Sequence, residues 1–209
     1  MDTLPKLLVH NAGQWPDQLA MREKDFGIWV EYRWRDCLEQ VRLLALGLHD
    51  LGLCRGEVVG LLGKNRPHWV WGELAAHAVG AMSLGIYQDS MNAEVAYLLN
   101  YTGAQVVLAE DEEQVDKLLE IADELPALRH IVYFDPRGMR KYADPRLLAA
   151  AELKERGRRL GEAEPSLFDA MVAAGGGDDV ALLCTTSGTT SHPKLAMIQG
   201  GALIRHSAA

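Results

Sequence analysis

Short, continuous apolar runs in this chain are separated by stretches whose apolar residues recur every third or fourth position. Val58-Val59-Gly60-Leu61-Leu62, Ser83-Leu84-Gly85-Ile86-Tyr87, residues 105–109, residues 129–134 and Val180-Ala181-Leu182-Leu183-Cys184 are the runs. All five predict strands; the unbroken hydrophobicity of Val58 to Leu62 predicts one covered on both faces, and residues 180–184 read as buried. The periodic stretches predict helices. Trp34, Leu38, Val41, Ala45 and Leu48 form the apolar stripe of the first long one, with Gly52 as its C′ residue. Asn65-Arg66-Pro67 opens a second helix over residues 68–81. Asn92 is placed to cap residues 93–100, and Val115, Leu118, Leu119 and Ala122 share one face of a helix over residues 112–125. Nearer the start, residues 4–10 read as a short amphipathic helix capped by Asp2 or Thr3, with Pro5 in its first turn. Residues 18–22 and 27–32 read as two strands joined by the turn Lys24-Asp25-Phe26-Gly27. Strands alternating with helices predict an α/β domain with a mostly parallel sheet flanked by helices on both faces, and such sheets bind ligands at the carboxyl ends of their strands.

The pattern breaks between residues 140 and 165. Arg146, Lys154, Arg156, Arg158 and Arg159 are balanced there by Glu152, Glu155, Glu162 and Glu164, which predicts a solvated helix or excursion laced with ion pairs. Residues 167–173 resume a short helix, Gly175-Gly176-Gly177 is a connector, and residues 201–209 read as the start of a further helix. No internal repeat is visible.

Charge and cysteine usage narrow the function classes. A net charge of −8 without a basic stripe argues against a nucleic-acid-binding surface. Cys37, Cys54 and Cys184 are far apart and lie among apolar residues, which predicts small core cysteines in a reduced, cytoplasmic setting. No apolar run reaches the length of a membrane span. Metal-ligand spacing is absent. His77, on an alanine-rich helix, reads as a packed residue, and Trp29, Trp34, Trp69 and Trp71 read as core or partly buried. The acids Glu110-Asp111-Glu112-Glu113 sit where a helix begins and complement its dipole.

The stretch that these elements lead up to is Thr185-Thr186-Ser187-Gly188-Thr189-Thr190-Ser191-His192-Pro193-Lys194. A buried strand runs into hydroxyl residues around one glycine, then a proline and a lysine. Backbone N–H groups of such a loop form an anion-binding nest; hydroxyls add donors, and the lysine adds a mobile charge. It is not a Walker A loop, because Gly188 lacks the second glycine five residues on, and Gly60-Leu61-Leu62-Gly63-Lys64 has the wrong spacing for one. No dinucleotide-binding glycine fingerprint follows any strand.

Thr186, Ser187, Gly188, Thr189, Thr190, Pro193 and Lys194 match the ATP-binding signature of the adenylate-forming superfamily, which the chain resembles over most of its length. Trp29-Val30-Glu31-Tyr32, Gly56-Glu57-Val58-Val59-Gly60, Asn65-Arg66-Pro67-His68-Trp69 and residues 76–87 also resemble segments of that superfamily. Residues 93–100 and Ala109-Glu110-Asp111 are similar to its long-chain acyl-CoA synthetase branch. Ser191 replaces the signature's second glycine, and Leu195 replaces the glycine after its lysine. Gln199-Gly200-Gly201-Ala202 stands where relatives often carry Ser-His-x-Asn, and Gly85-Ile86-Tyr87 lacks a proline. The resemblance implies ATP, magnesium and coenzyme A as cofactors and a fatty acid as substrate, with peripheral membrane contact left open. A carboxylate would attack the α-phosphorus of ATP, and a thiol would then displace AMP. It implies that Thr186, Ser187, Gly188, Thr189, Thr190, Ser191 and Lys194 hold the ATP phosphates, with no catalytic or metal-ligating residue in this stretch of chain. Residues 1–209 are thus expected to be the N-terminal portion of an AMP-binding domain, without its C-terminal half and small lysine-bearing domain, and inactive alone. Alternatives are another acid–thiol ligase, a carrier-protein adenylation domain, or a non-catalytic nucleotide-binding remnant. An apolar patch normally covered by the rest of the domain is expected on the surface.

Overall fold

The computed structural model of the chain describes residues 1–186 and 193–207. It is an α/β fold whose main sheet has seven strands among the described residues, in the order β7-β6-β5-β3-β4-β8-β9. These are β3 (Val58–Gly63), β4 (Met82–Tyr87), β5 (Val106–Ala109), β6 (His130–Tyr133), β7 (Leu147–Ala149), β8 (Val180–Thr186) and β9 (Lys194–Gln199). Neighbours pair in parallel up to β8, and β9 pairs antiparallel at the edge. A separate antiparallel hairpin joins β1 (Leu19–Asp25) to β2 (Ile28–Arg33), turning at Phe26 (φ 44) and Gly27 (φ 85).

The continuous apolar runs become central strands because alternate side chains feed two cores. Val59 and Leu61 of β3 join Val106, Leu108 and Val132 on one face, whereas Val58 and Leu62 join Val107, Ala109 and Ile131 on the other. The first face carries α1 (Leu4–Gln14), α2 (Trp34–Asp50), α3 (Pro67–Val79), α6 (Ala150–Ala163) and α7 (Leu167–Ala174); the second carries α4 (Asn92–Thr102) and α5 (Glu112–Glu120). A final helix, α8 (Gly200–Ser207), follows β9. The loop after β3 therefore leads to one face and the loop after β4 to the other, which opens a crevice at the carboxyl ends of these strands.

Several local expectations need correction. Residues 140–165 are not a purely solvated excursion. They supply β7 and α6, with Leu153 fully buried and Gly157 pressed onto α2, while ion pairs such as Arg158–Glu155 (2.5 Å) line only the outer side. Because α6 covers a second side of α2, burial there extends beyond the predicted stripe to Leu43, Leu44, Leu46 and Gly47. β9 was not anticipated. Asn92 does not cap α4; Met91 is the N-cap, and the Asn92 amide donates to Glu120 Oε2 (2.7 Å). Thr3, not Asp2, caps α1, while Asp2 pairs with Lys6 (2.9 Å). Helix α5 stops at Glu120, giving way to a single 3₁₀ turn at Ala122–Glu124. Of the cysteines only Cys37 is buried; Cys54 is exposed and Cys184 half-buried. Trp29 lies outside the core at 54% exposure, beneath the Arg22 guanidinium. Gly52 does follow α2 in the left-handed region (φ 86), and Asp111 caps α5 through the Gln114 N–H.

Candidate functional site

The carboxyl ends of β3, β4 and β8 surround a cleft of about 500 Å³. Gly63, Lys64 and Asn65 form one wall, Gly85 to Asp89 the middle, and Cys184 and Thr185 the opposite wall. Trp69 of α3 lies over Gly85, where an added Cβ would come within 3.2 Å of the indole ring. The lack of a side chain at residue 85 thus gives the ring its place in the cleft.

At the open end, Thr186 and Lys194 face each other across β8 and β9, and the Thr186 hydroxyl donates to the Lys194 carbonyl (3.2 Å). Leu183, 6% exposed, and Leu195 anchor these strands in the core beneath α4. The Tyr97 hydroxyl of α4 donates to the Pro193 carbonyl (3.3 Å). Both ends of the hydroxyl-rich stretch are therefore fixed at the rim of the crevice. Of the predicted phosphate-holding residues, Thr186 and Lys194 lie here, both exposed; Ser187, Gly188, Thr189, Thr190 and Ser191 lie outside the described residues. Lys194 has no carboxylate partner among the described residues.

The walls are held by charge. Glu110, just past β5, is 5% exposed; its carboxylate accepts the Lys64 N–H (2.6 Å) and approaches Arg66 Nη1 (3.5 Å). Arg66 also donates to Glu23 of β1 and lies 3.7 Å from Asp25, so one guanidinium ties the hairpin to the sheet. The contact with Glu23, more than burial, sets its pKa, and raises it. Beside it His68 stacks on Phe134 (4.6 Å between centroids), and burial lowers the imidazole pKa. The β4–α4 loop is fastened by Lys117, whose ammonium donates to the Gln88 carbonyl. In the sequence Glu110 reads as one of four acids at a helix start and as part of the Ala109-Glu110-Asp111 resemblance. Asp111, Glu112 and Glu113 do serve that end, whereas Glu110 turns inward to a backbone N–H that no sequence pattern marks.

A second polar cluster lies deeper. Ser83 is fully buried on β4, with its hydroxyl 3.0 Å from His77 Nε2, 3.5 Å from Glu73 Oε1 and 3.4 Å from the Ala181 carbonyl. Burial pushes the His77 pKa down to about 4 and raises that of Glu73. A neutral histidine here links α3 to β4; it is a packed residue, as its position on an alanine-rich helix predicts. His206 is exposed in the last turn of α8 and is not part of the cleft.

Chemically, the cleft presents the Thr185 and Tyr87 hydroxyls and Lys64 at the end of a parallel sheet, an arrangement that suits an anion such as phosphate. Among the described residues no group of three His, Cys, Asp or Glu side chains is arranged to hold a metal ion. No described helix is long and apolar enough to cross a membrane.

Comparison with known proteins places this geometry. The sequence model of a family described as AMP-binding enzyme matches residues 8–209. A long-chain-fatty-acid–CoA ligase of Xenopus laevis (ACSBG2) is 26% identical over 94% of this chain and 26% of its own length. The long-chain-fatty-acid–CoA ligase FadD15 of Mycobacterium bovis is 28% identical over 92% of this chain and 30% of its own length. The crystal structure of the anthranilate CoA ligase AuaEII in complex with anthranoyl-AMP superimposes with a TM-score of 0.77 at 23% identity, covering 95% of this chain and 35% of that one. The chain thus spans less than a third of the curated relatives it matches.

Proposed function

The chain belongs to the AMP-binding enzyme family, and from that premise we propose that residues 1–209 are the N-terminal, phosphate-holding portion of an AMP-forming long-chain fatty acid–CoA ligase. The observation that supports this reading is where the two described ends of the signature stretch lie. β8 enters it and β9 returns from it, with Thr186 and Lys194 paired at its neck, beside the crevice at the carboxyl ends of β3 and β4. The names of the relatives, both long-chain-fatty-acid–CoA ligases, support the acid and thiol partners.

In this proposal ATP docks with its phosphates toward Thr186, Ser187, Gly188, Thr189, Thr190, Ser191 and Lys194. Pyrophosphate leaves only when its charge is spread and held in line with the attacking carboxylate. Fixed N–H and hydroxyl donors with the Lys194 ammonium do that work electrostatically, without a nucleophile from this chain. Magnesium would supply further charge neutralisation with bound ATP. Coenzyme A supplies the thiol for the second step. In this proposal residues 1–209 bind without turnover, since the assigned residues hold phosphate and supply no nucleophile. The test is ATP–pyrophosphate exchange with palmitate beside direct MgATP binding. Saturable binding without exchange above a Lys194→Ala control is expected. Absence of binding would refute the proposal, and exchange well above that control would refute the assignment of catalysis to other segments.

A further inference from the structure

Gly63-Lys64 fails as a Walker motif on spacing, yet the fold brings it into the cleft. The backbone at Gly63 lies so close to Glu110 that an added Cβ would meet the Glu110 Cβ at 2.6 Å and its Oε2 at 2.9 Å. The same oxygen accepts the Lys64 N–H at 2.6 Å, and the other faces Arg66. Glu110 is thereby engaged by the backbone of Lys64 and by Arg66, leaving the Lys64 ammonium without a carboxylate partner among the described residues. Lys64 is exposed and lines the cleft opposite Thr185. β3, β4 and β8 are successive strands. At about 4.8 Å per strand, the two walls stand roughly 10 Å apart, a span that a di- or triphosphate and one lysine side chain bridge. Asp89 lines the cleft between them, so a polyphosphate carrying its magnesium counter-ion fits better than a bare anion.

We propose that Lys64 is a second phosphate-binding side chain of this cleft, acting across it from Lys194, and that Glu110 is a positioning residue that fixes the turn after β3 so that Lys64 stands at the rim. The inference rests on the reading that the cleft takes a phosphate-bearing substrate, and it adds a contact outside the signature stretch. Two sources share this chemistry, the triphosphate of ATP and the phosphates of coenzyme A.

The test titrates the purified chain with magnesium pyrophosphate, MgATP and coenzyme A, following tryptophan fluorescence, since Trp69 lies in the cleft. Lys64→Met is expected to weaken pyrophosphate binding about tenfold, and Lys64→Arg to restore most of it. A parallel loss for MgATP assigns the contact to the ATP triphosphate, and a parallel loss for coenzyme A assigns it to that cofactor; either supports the proposal. Glu110→Ala should weaken pyrophosphate binding to a similar degree. Glu110→Gln, which keeps an oxygen for the Lys64 N–H, should recover it, and the Lys64→Met, Glu110→Ala double variant should be no weaker than Lys64→Met alone. Additive losses in the double variant would overturn the positioning role. Unchanged binding of all three probes in Lys64→Met, with weaker binding in Lys194→Met, would overturn the Lys64 contact and leave the proposed function standing. Failure of the unaltered chain to bind any probe would overturn both.

Discussion

Replacing Gly157 with alanine adds one methyl group at the point where α6 crosses α2, and the structure allows the cost to be worked out. The new Cβ would lie 2.0 Å from the Leu43 carbonyl oxygen and 2.9 Å from the Gly47 nitrogen. Carbon–oxygen contacts of this kind settle near 3.3 Å, so the helices must part by about 1.3 Å. Both obstacles are backbone atoms, which no rotamer change can move aside. Parting the helices loosens Leu153, fully buried between them. Overpacking typically costs about 1–3 kcal/mol, and a backbone obstacle belongs at the upper end. Alanine returns about 1 kcal/mol through helix propensity, leaving a net loss of about 2 kcal/mol. For a chain of this size that is a fall of roughly 4–8 °C in melting temperature. Gly161→Ala is the matched control, because its Cβ would meet only flexible side-chain ends, Leu46 at 3.0 Å and Arg42 at 3.8 Å. Urea unfolding followed by far-ultraviolet circular dichroism should show Gly157→Ala unfolding earlier and Gly161→Ala within about 0.5 kcal/mol of the unaltered chain or above it. A Gly157→Ala chain as stable as the original would refute the close crossing of α2 and α6.

The remaining predictions concern charge. His77 carries a pKa of about 4 in the fold against an ordinary 6.5, so the unfolded chain binds the proton first as pH falls. Stability should therefore be unaffected by this group above pH 6.5 and decline between 6.5 and about 4, by about 3 kcal/mol in all, and a His77→Gln variant measured over the same pH range in urea should lack that part of the decline. Arg66→Met removes the guanidinium shared by Glu23, Asp25 and Glu110 and should cost about 3 kcal/mol by thermal melting, with Glu110→Gln in the same chain recovering part of the loss. Tyr97→Phe removes the hydroxyl that holds the Pro193 carbonyl and should lower stability by about 1 kcal/mol while weakening MgATP binding, read by calorimetry.

The sheet was legible because its strands are buried on both faces, so Val58 to Leu62 and Val106 to Ala109 show as unbroken apolar runs. Strand β9 was not, because its burial follows no clean period: Lys194, Met197 and Gln199 are exposed, and Leu195 packs against the core. Strand β7 is three residues long, too short for a period to register. Helix α6 was legible as a solvated helix, but its packing against the core was missed for another reason. Its core contact is made by Leu153 and Gly157, and a glycine that packs by having no side chain looks like any other glycine in sequence. In the site, the hydroxyl-rich stretch declared itself by composition. The wall opposite did not, since Glu110 acts through the backbone N–H of a residue far away in the chain, a contact that only the pairing of β3 with β5 creates.

The central claim is that this fold holds nucleotide phosphates at the neck formed by Thr186 and Lys194. Isothermal titration of the chain with MgATP tests it most directly, with Lys194→Met titrated alongside. The account predicts saturable binding to the unaltered chain and at least tenfold weaker binding to Lys194→Met, about 1.4 kcal/mol or more. Equal affinity for the two chains, or no binding to either, would contradict it.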